Sequence, residues 1–289
     1  MGSDFRIRQL TEQDLPAAMA LKEAAGWNQT EQDWRLLLRL EPEGCFALEA
    51  DGRVVASATA FRYEQQLAWI GMVLTLPEYR GRGFGNRVFL RSLEYCGATG
   101  VRCVGLDATD LGQPLYERAG FAAEYNVERW GGVPRPVHAR NGGAGGQVRA
   151  LAAADLDRLH SADTRAFGAA RGPLLHALLE QSCDWAAVLE RDGAPVAYAM
   201  SRPGSKAHYF GPCVAGHPAD AALLFDAFAE AHPDAAVCVD VPAPNEGARA
   251  LLAGRGLEVR RTLARMYYGA NEARGEPGQV FGLAGFEYG

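Results

Sequence analysis

The feature that most constrains this chain is an internal repeat, because the second half restates short patterns of the first half in the same order. Four pairs of segments match, at separations that drift from 141 to 136 positions: residues 7–10 with 148–151, 48–52 with 189–193, 69–71 with 209–211, and 115–121 with 251–257. Differences in loop length explain such a drift. A chain of 289 residues is long enough for two ordinary domains, so the repeat predicts two copies of one fold.

A glycine-rich segment separates the two copies. Residues 141–146 read Asn-Gly-Gly-Ala-Gly-Gly, a composition that favours a flexible connection without a core of its own. We therefore predict a first domain over residues 1–140, a linker over 141–147 and a second domain over 148–289.

Composition limits the class of protein and its partners. Apolar residues make up 48% of the chain and charged residues 22%, as in an ordinary globular protein. The net charge of −6 disfavours a nucleic-acid partner or an anionic membrane surface. The N-terminus does not resemble a signal peptide, and no stretch approaches the roughly 18 apolar residues of a membrane span. We expect a cytoplasmic protein, either a monomer or a homodimer.

The six cysteines lie far apart and form no Cys-x-x-Cys pair. In a chain of this size, that spacing predicts reduced, buried thiols and no metal site.

The order of elements predicts an α/β fold. Asp51-Gly52 lies between two strand-like runs, which is a strong hairpin signal. Thr11 and Thr30 are each followed three residues later by an aspartate, the pattern of a helix N-terminus. An apolar strand over residues 69–76 precedes a glycine-rich turn and then a helix over about 86–95. This mixture predicts, in each copy, a mixed sheet flanked by helices, with antiparallel hairpins and one parallel crossover.

The glycine-rich turn is the most informative segment of the chain. It combines three glycines with three arginines: Gly81, Gly83, Gly85, Arg80, Arg82 and Arg87. Glycine lets the backbone approach an anion without a Cβ in the way, and the free amides of the following helix attract negative charge. The segment therefore predicts a pyrophosphate site. It is neither a P-loop, since Lys-Ser/Thr is missing, nor a dinucleotide fingerprint, since its glycines follow a strand that comes late in the domain.

Arg80, Gly83 and Gly85 match the Arg/Gln-x-x-Gly-x-Gly/Ala signature of the GNAT (GCN5-related N-acetyltransferase) superfamily, which this turn resembles. The resemblance implies two GNAT folds in tandem, as in a bacterial subgroup, with acetyl-CoA as the acyl donor. It also implies that the preceding strand holds the pantetheine arm and the turn holds the phosphates. The implied cofactor-binding residues are Met72, Val73 and Leu74 for pantetheine, and Arg80, Gly81, Arg82, Gly83, Phe84, Gly85, Asn86 and Arg87 for the phosphates.

Residues 115–121 resemble the closing helix of the same family, in which a tyrosine near the thioester sulfur is the general acid. The resemblance implies that role for Tyr116, whose phenol can protonate a departing thiolate. Many members carry an asparagine seven residues earlier; this chain has Thr109 there, which leaves the hydrogen bond to the pantetheine arm open.

The general base is open as well. Many relatives use a glutamate on the strand before the glycine turn, but residues 68–76 contain no carboxylate. Asp107, at the end of the next strand, is the first candidate, and Glu64 is a weaker one. An amine whose pKa is already near neutral needs no strong base.

The second copy lacks this chemistry at the corresponding positions. Residues 215–220 contain no Gly-x-Gly and no arginine, and Asp220 would repel a phosphate. Leu252 stands where the first copy has Tyr116, although Asn245 lies seven residues before it. We expect the second copy to keep the fold, to bind no cofactor and to shape the acceptor site. The apolar tail over 279–289 is expected to complete the sheet of the first copy, which shows no final strand of its own.

The expected acceptor is a primary amine of a small molecule, which attacks the thioester directly because no cysteine lies in the motifs. Trp27 and Asn28, between the first two helices, are the predicted acceptor-binding residues. Two alternatives stay open: a catalytically silent acyl-CoA-binding or sensing protein, and a protein or peptide N-acetyltransferase.

Overall fold

The computed structural model describes residues 5–135, 145–181 and 183–289, so that residues 141–144 of the predicted linker lie outside the described residues. The strands are β1 (Phe5–Gln9), β2 (Cys45–Ala50), β3 (Arg53–Tyr63), β4 (Leu67–Thr75), β5 (Cys103–Ala108), β6 (Ala122–Gly132), β7 (Gln147–Ala150), β8 (Trp185–Arg191), β9 (Ala194–Arg202), β10 (His208–Ala215), β11 (Val237–Pro242), β12 (Glu258–Gly269) and β13 (Val280–Gly282). The helices are α1 (Leu15–Ala25), α2 (Glu31–Leu40), α3 (Phe84–Ala98), α4 (Gln113–Arg118), α5 (Ala153–Phe167), α6 (Gly172–Gln181), α7 (Pro218–Ala231) and α8 (Glu246–Gly254). None of the described helices combines the length and the apolar character that a membrane span requires.

The predicted local signals are confirmed. Asp51 (φ 52°) and Gly52 (φ 77°) both adopt the left-handed conformation in the β2–β3 hairpin, as a two-residue type I′ turn requires. Thr30 begins α2 with a capping box, in which its backbone N–H donates to the Asp33 carboxylate at 2.7 Å.

The repeat is visible in side-chain contacts as well as in strand order. Each half has one arginine that joins the aspartate of the first helical turn to a glutamate on the neighbouring strand: Arg8, Asp14 and Glu49 in the first half, and Arg149, Asp155 and Glu190 in the second. In both triads the arginine–aspartate distance is 2.7 Å. The two halves are therefore two copies of one fold.

The two halves exchange strands within one continuous sheet. Its order over the described residues is β1-β2-β3-β4-β5-β12-β6-β11-β10-β9-β8-β7, with β13 beside β10. Strand β12 of the second half lies next to β5 of the first half, and β6 of the first half lies next to β11 of the second. Val127 of β6 pairs with Leu263 of β12, its own counterpart 136 positions later, so a local twofold axis relates the halves there.

Two expectations about strands are wrong. The first half does have a long final strand, β6, which the sequence reading missed. The tail does not complete the sheet of the first half: β13 pairs with β10 of the second half, and the strand that extends the first half is β12.

Helices cover both faces of the sheet. On one face α3 packs on the first half and α7 on the second, over separate clusters of buried side chains. On the other face a single core runs beneath α1, α2, α5, α6 and the C-terminal tail, and it includes Trp34, Trp69, Tyr198 and Tyr288. Because this core belongs to both halves, the halves are joined by apolar packing as well as by strand exchange.

Candidate active site

The glycine turn lies between β4 and α3, as predicted. Gly81 and Gly83 both have φ 77°, a conformation that residues with a Cβ adopt at a cost. Gly83 is the N-cap of α3, and no side chain caps that helix, so the first amides of α3 are free for an anion.

A cleft of about 720 Å³ opens beside this turn. Its walls are the glycine turn with the start of α3 on one side and α4 on the other, and they include Thr75, Tyr79, Arg80, Gly81, Gly83, Phe84, Gly85, Asn86, Leu90, Leu111, Leu115, Arg118 and Ala119. Leu111 is 84% exposed here, so the cleft offers an apolar surface next to its cationic end.

The arginines of the turn are placed differently from one another. Arg80 lines the cleft, and its Nε donates to the Thr75 carbonyl at 3.3 Å. Arg82 lies over the Tyr79 ring at 4.7 Å and Arg87 over the Phe5 ring at 4.6 Å, which leaves both at the margin of the cleft. Arg118 of α4 also lines the cleft; the sequence reading did not single it out, because nothing local distinguishes it from a solvated helix end.

A gap opens between β4 and β5, and Thr75, the last residue of β4, lines the cleft. The two parallel strands pair from Leu67 to Trp69 and then diverge. Met72 causes the divergence on the β4 side, since it has φ 50° and shifts the register against β3, with its carbonyl accepting a hydrogen bond from Ser57 Oγ at 2.9 Å. Val73 and Leu74 follow along the gap, so the predicted pantetheine-binding segment lines its edge.

Tyr116 lies on α4, which forms one wall of the cleft. Its ring packs edge-on against Phe89 at 4.8 Å, and only 8% of the residue is exposed. Burial raises the pKa of the Tyr116 hydroxyl, so this phenol stays protonated at neutral pH and can act as a hydrogen-bond donor.

Asp107 is tied to the other half of the chain. Both of its carboxylate oxygens accept hydrogen bonds from Arg265 of β12, at 2.9 Å each, and its side chain is fully buried. Burial raises the pKa of Asp107 despite the neighbouring guanidinium. Arg129 and Asp240 form the symmetry-related pair on β6 and β11, so this arrangement belongs to the strand exchange.

The gap that is open in the first half is filled in the second. Strands β10 and β11 pair only at His208 and Tyr209 before they diverge, and β13 enters the space between them. Leu283 N–H donates to the Asp240 carbonyl at 2.8 Å, and Asn245 Nδ2 donates to the Val280 carbonyl at 2.8 Å. The tail therefore occupies the place that corresponds to the open gap of the first half.

Thr109 is the counterpart of Asn245, 136 positions earlier in the chain. Its hydroxyl accepts a hydrogen bond from Gly112 N–H at 3.2 Å, within the turn that starts α4. Asp220, which we expected to repel a phosphate, is paired with Arg191 at 2.7 Å, and Leu252 is buried.

The predicted acceptor residues lie at the seam between the halves. Asn28 is buried, and its side-chain oxygen accepts the N–H groups of Lys206 and Ala207 from the second half. Trp27 is half-buried, with the Arg261 guanidinium 5.7 Å from its ring centre. The structure thus brings these two residues to the contact between halves, at the opposite side of the sheet from α3.

A buried ionic network lies beneath this seam, which sequence reasoning missed. Arg202 Nε donates to Asp33 at 2.9 Å and its Nη2 donates to Glu287 at 3.0 Å, while Gln29 donates to the other Glu287 oxygen at 2.7 Å. The backbone of Glu287 lies against Gly71 of β4, so close that a Cβ on Gly71 would meet it at 2.8 Å. Burial raises the pKa of Glu287 to about 6.

Comparison with known proteins agrees with this architecture. The model of the acetyltransferase (GNAT) family matches residues 7–121, and a second acetyltransferase (GNAT) domain model matches residues 159–282. The chain is similar to a holothin acyltransferase of Pseudoalteromonas sp., with 25% identity over 92% of this chain and 88% of that protein.

Two solved structures show the same fold over nearly the whole chain. One is a putative acetyltransferase from Pyrococcus horikoshii, with a TM-score of 0.83, 22% identity, and coverage of 99% of this chain and 96% of that one. The other is a tandem GNAT protein from the clavulanic acid biosynthesis pathway, with a TM-score of 0.68, 14% identity, and coverage of 92% and 98%. This chain therefore belongs to the GNAT family, as a tandem member with the activity of an acyl-CoA-dependent N-acyltransferase.

Proposed function

We propose that the first half transfers an acetyl group from acetyl-CoA to a primary amine of a small molecule. The observation that carries the proposal is that β4 and β5 diverge after Trp69 and that β4 then ends at the cleft, which Thr75 lines. An extended ligand with an anionic end and a narrow thioester arm fits such a path, and only one half of the chain keeps it open among the described residues.

The residues of the path have separate tasks in this proposal. The first amides of α3, with Arg80 and Arg118, hold the phosphates of the donor, while residues 72–74 hold its arm. When the amine attacks, the thioester carbon gains a C–N bond and loses its C–S bond, and the electron pair leaves on sulfur. Tyr116, kept protonated by burial, donates a hydrogen bond to that sulfur as the negative charge develops.

The state of the carboxylates indicates which kind of amine is the acceptor. Asp107, the predicted base, has both oxygens bound to Arg265, and Glu287, the other carboxylate next to β4, is bound to Arg202 and Gln29. Both oxygens of each carboxylate already accept hydrogen bonds, so neither offers a free oxygen to the proton of an incoming amine until those contacts open, although burial raises the pKa of both groups. We therefore propose that the acceptor is a weakly basic amine with a pKa near neutral, which arrives largely deprotonated.

The holothin acyltransferase is named for a single acceptor, and the similarity to it supports one specific acceptor for this chain as well. The place for it would be the seam near Trp27, where side chains of both halves meet.

Thiol release from acetyl-CoA, measured against a library of amines, tests the acyl transfer. Tyr116→Phe is expected to lower kcat about 100-fold or more, with little change in the KM for acetyl-CoA. Tyr268→Phe is the matched control, since Tyr268 contacts the same Phe121 ring but is 43% exposed. Tight binding of acetyl-CoA with no turnover on any amine would instead support a sensing protein, and full activity of Tyr116→Phe would remove its assigned role.

The pH dependence of kcat/KM tests the acceptor class. With a series of amines of graded pKa, the inflection is expected to move with the pKa of each amine, because the free amine itself is the reactant. An inflection that stays fixed across the series, and that moves only in Asp107→Asn, would show that Asp107 is the base.

A further inference from the structure

Asp184, His208 and His232 form a cluster that has no part in the acyl-transfer site. One side-chain ligand atom from each lies within 4.8 Å of the other two. His208 Nδ1 is 3.0 Å from Asp184 Oδ2, and His232 Nε2 is 3.5 Å from the same oxygen. From this geometry we propose that the second half binds a divalent transition-metal ion, with Zn²⁺ as the best match.

The donor atoms suit such an ion. Two imidazole nitrogens and one carboxylate oxygen form a common ligand set for Zn²⁺ with a fourth position left for water. Zinc bonds to these atoms are about 2.0–2.2 Å long, which places tetrahedral ligand atoms about 3.3–3.5 Å apart. The distances from Asp184 to the two histidines, 3.0 and 3.5 Å, are close to that spacing, and the two histidine nitrogens lie within 4.8 Å of each other.

The hydrogen bonds around the cluster leave the right nitrogens free. His232 Nδ1 lies 3.1 Å from the Phe228 carbonyl, which favours the tautomer with its proton on Nδ1 and the Nε2 lone pair facing Asp184. His208 Nδ1 is buried and has no hydrogen-bond partner within the described residues, even though the Asp184 carboxylate is near. A buried nitrogen without a partner is costly, and a metal ion would use its lone pair.

Regular structure holds all three residues in place. Asp184 immediately precedes β8, and His208 begins β10. These two strands flank β9, and both begin beside its last residues, at the same end of the sheet. The Asp184 N–H donates to the Ser201 carbonyl of β9 at 3.1 Å. His232 is the C-cap of α7, so a metal here would tie the end of that helix to the sheet.

The cluster is separate from the proposed acyl transfer in two ways. It lies at the start of β10, whereas the degenerate glycine turn of the second half follows the end of that strand. The equivalent of His208 in the first half, 140 positions earlier, is Ala68, which has no ligand atom. The expectation of no metal site rested on the spacing of the cysteines, and spacing alone did not show that these two histidines and Asp184 come together.

Titration calorimetry of the full chain with Zn²⁺, prepared without a histidine tag and stripped with EDTA, tests the site. We expect one equivalent to bind, and its affinity to fall at least tenfold in His208→Ala and in His232→Ala. His176→Ala is the matched control, since His176 also lies 3.2 Å from an aspartate, Asp157, but belongs to no such three-residue cluster among the described residues. Cys183→Ser tests whether the thiol next to Asp184 is responsible instead.

Two further measurements keep the result interpretable. Bound Co²⁺ is expected to give the visible absorption of a four-coordinate ion in the unaltered chain and not in Asp184→Asn. Zn²⁺ is expected to raise the Tm of the unaltered chain and not that of His232→Ala, while acetyl transfer is unchanged by that substitution. Absence of saturable binding to the unaltered chain at 100-micromolar Zn²⁺ (about 10⁻⁴ M, a weak affinity), or an equal loss in His176→Ala, would overturn the proposal.

Discussion

The pair of Arg265 and Asp107 joins the strand contributed by the second half to β5 of the first half, so its removal tests the strand exchange directly. The Asp107 side chain is fully buried and that of Arg265 is 4% exposed. Arg265→Leu would leave a buried carboxylate without its partner, for which the expected loss in the free energy of unfolding is about 3–5 kcal/mol. Burial raises the pKa of Asp107, and without Arg265 the rise would be larger. The destabilisation should therefore be smallest at acid pH, where the carboxyl is protonated, and grow as the pH rises.

Urea unfolding, followed by circular dichroism, measures the effect. Arg102→Leu is the matched control: Arg102 contacts Glu272 at the same 2.9 Å, but these side chains are 62% and 60% exposed. Its loss should cost less than about 1 kcal/mol. Replacing both Asp107 and Arg265 with apolar residues should recover a large part of the stability. If the two single arginine variants were equally stable, the pair would not lie in the buried position described.

Three other predictions concern the turn, the tail and the buried glutamate. Gly83→Val should weaken acetyl-CoA binding in calorimetry at least tenfold. Gly52 has the same φ of 77° and equally open surroundings, so Gly52→Val is the control and should leave the affinity unchanged. Equal affinities of the two variants would argue against the phosphate site. Asn245→Ala should lower the free energy of unfolding by about 2–3 kcal/mol, because it removes a helix N-cap and a buried hydrogen bond to Val280, and the variant should still bind a single acetyl-CoA. Glu287 has a folded-state pKa of about 6, above its ordinary value of 4.5, so the stability it contributes is present below pH 4.5 and is lost as the pH rises through 6. The loss is about 2 kcal/mol, and Glu287→Gln should remove it from a series of unfolding curves between pH 4.5 and 7.

Sequence reasoning succeeded where a local pattern has a local cause. The Asp51-Gly52 turn, the Thr30 cap and the glycine turn before α3 each follow from the conformations open to a few neighbouring residues. The strand exchange could not be predicted in this way, because the residues of a strand such as β12 do not specify which neighbouring strand it pairs with.

The prediction that Asp107 is the general base had the same limit, because a sequence does not show which distant residues contact a side chain. A carboxylate at the end of a strand, near a predicted gap, is a reasonable candidate base when only its neighbours in sequence are known. Its partner, Arg265, is 158 positions away and reaches it only through the exchanged strand. Arg118, Glu287 and the histidine cluster were missed for a similar reason, since each acquires its chemistry from residues distant in sequence.

The C-terminal tail links the filled gap of the second half to the support of β4 beside the open gap of the first half. Strand β13 fills the gap between β10 and β11, where Asn245 binds a carbonyl of the tail. The chain then crosses to the first half, where the Phe286 carbonyl accepts a hydrogen bond from Trp69, the last residue of β4 that pairs with β5. An acyl-CoA arm in the second gap would displace β13 and with it this anchor beside the first gap. The contacts that fill the second gap and the contact that holds β4 therefore come from one continuous segment, which agrees with the single donor path proposed for the first half.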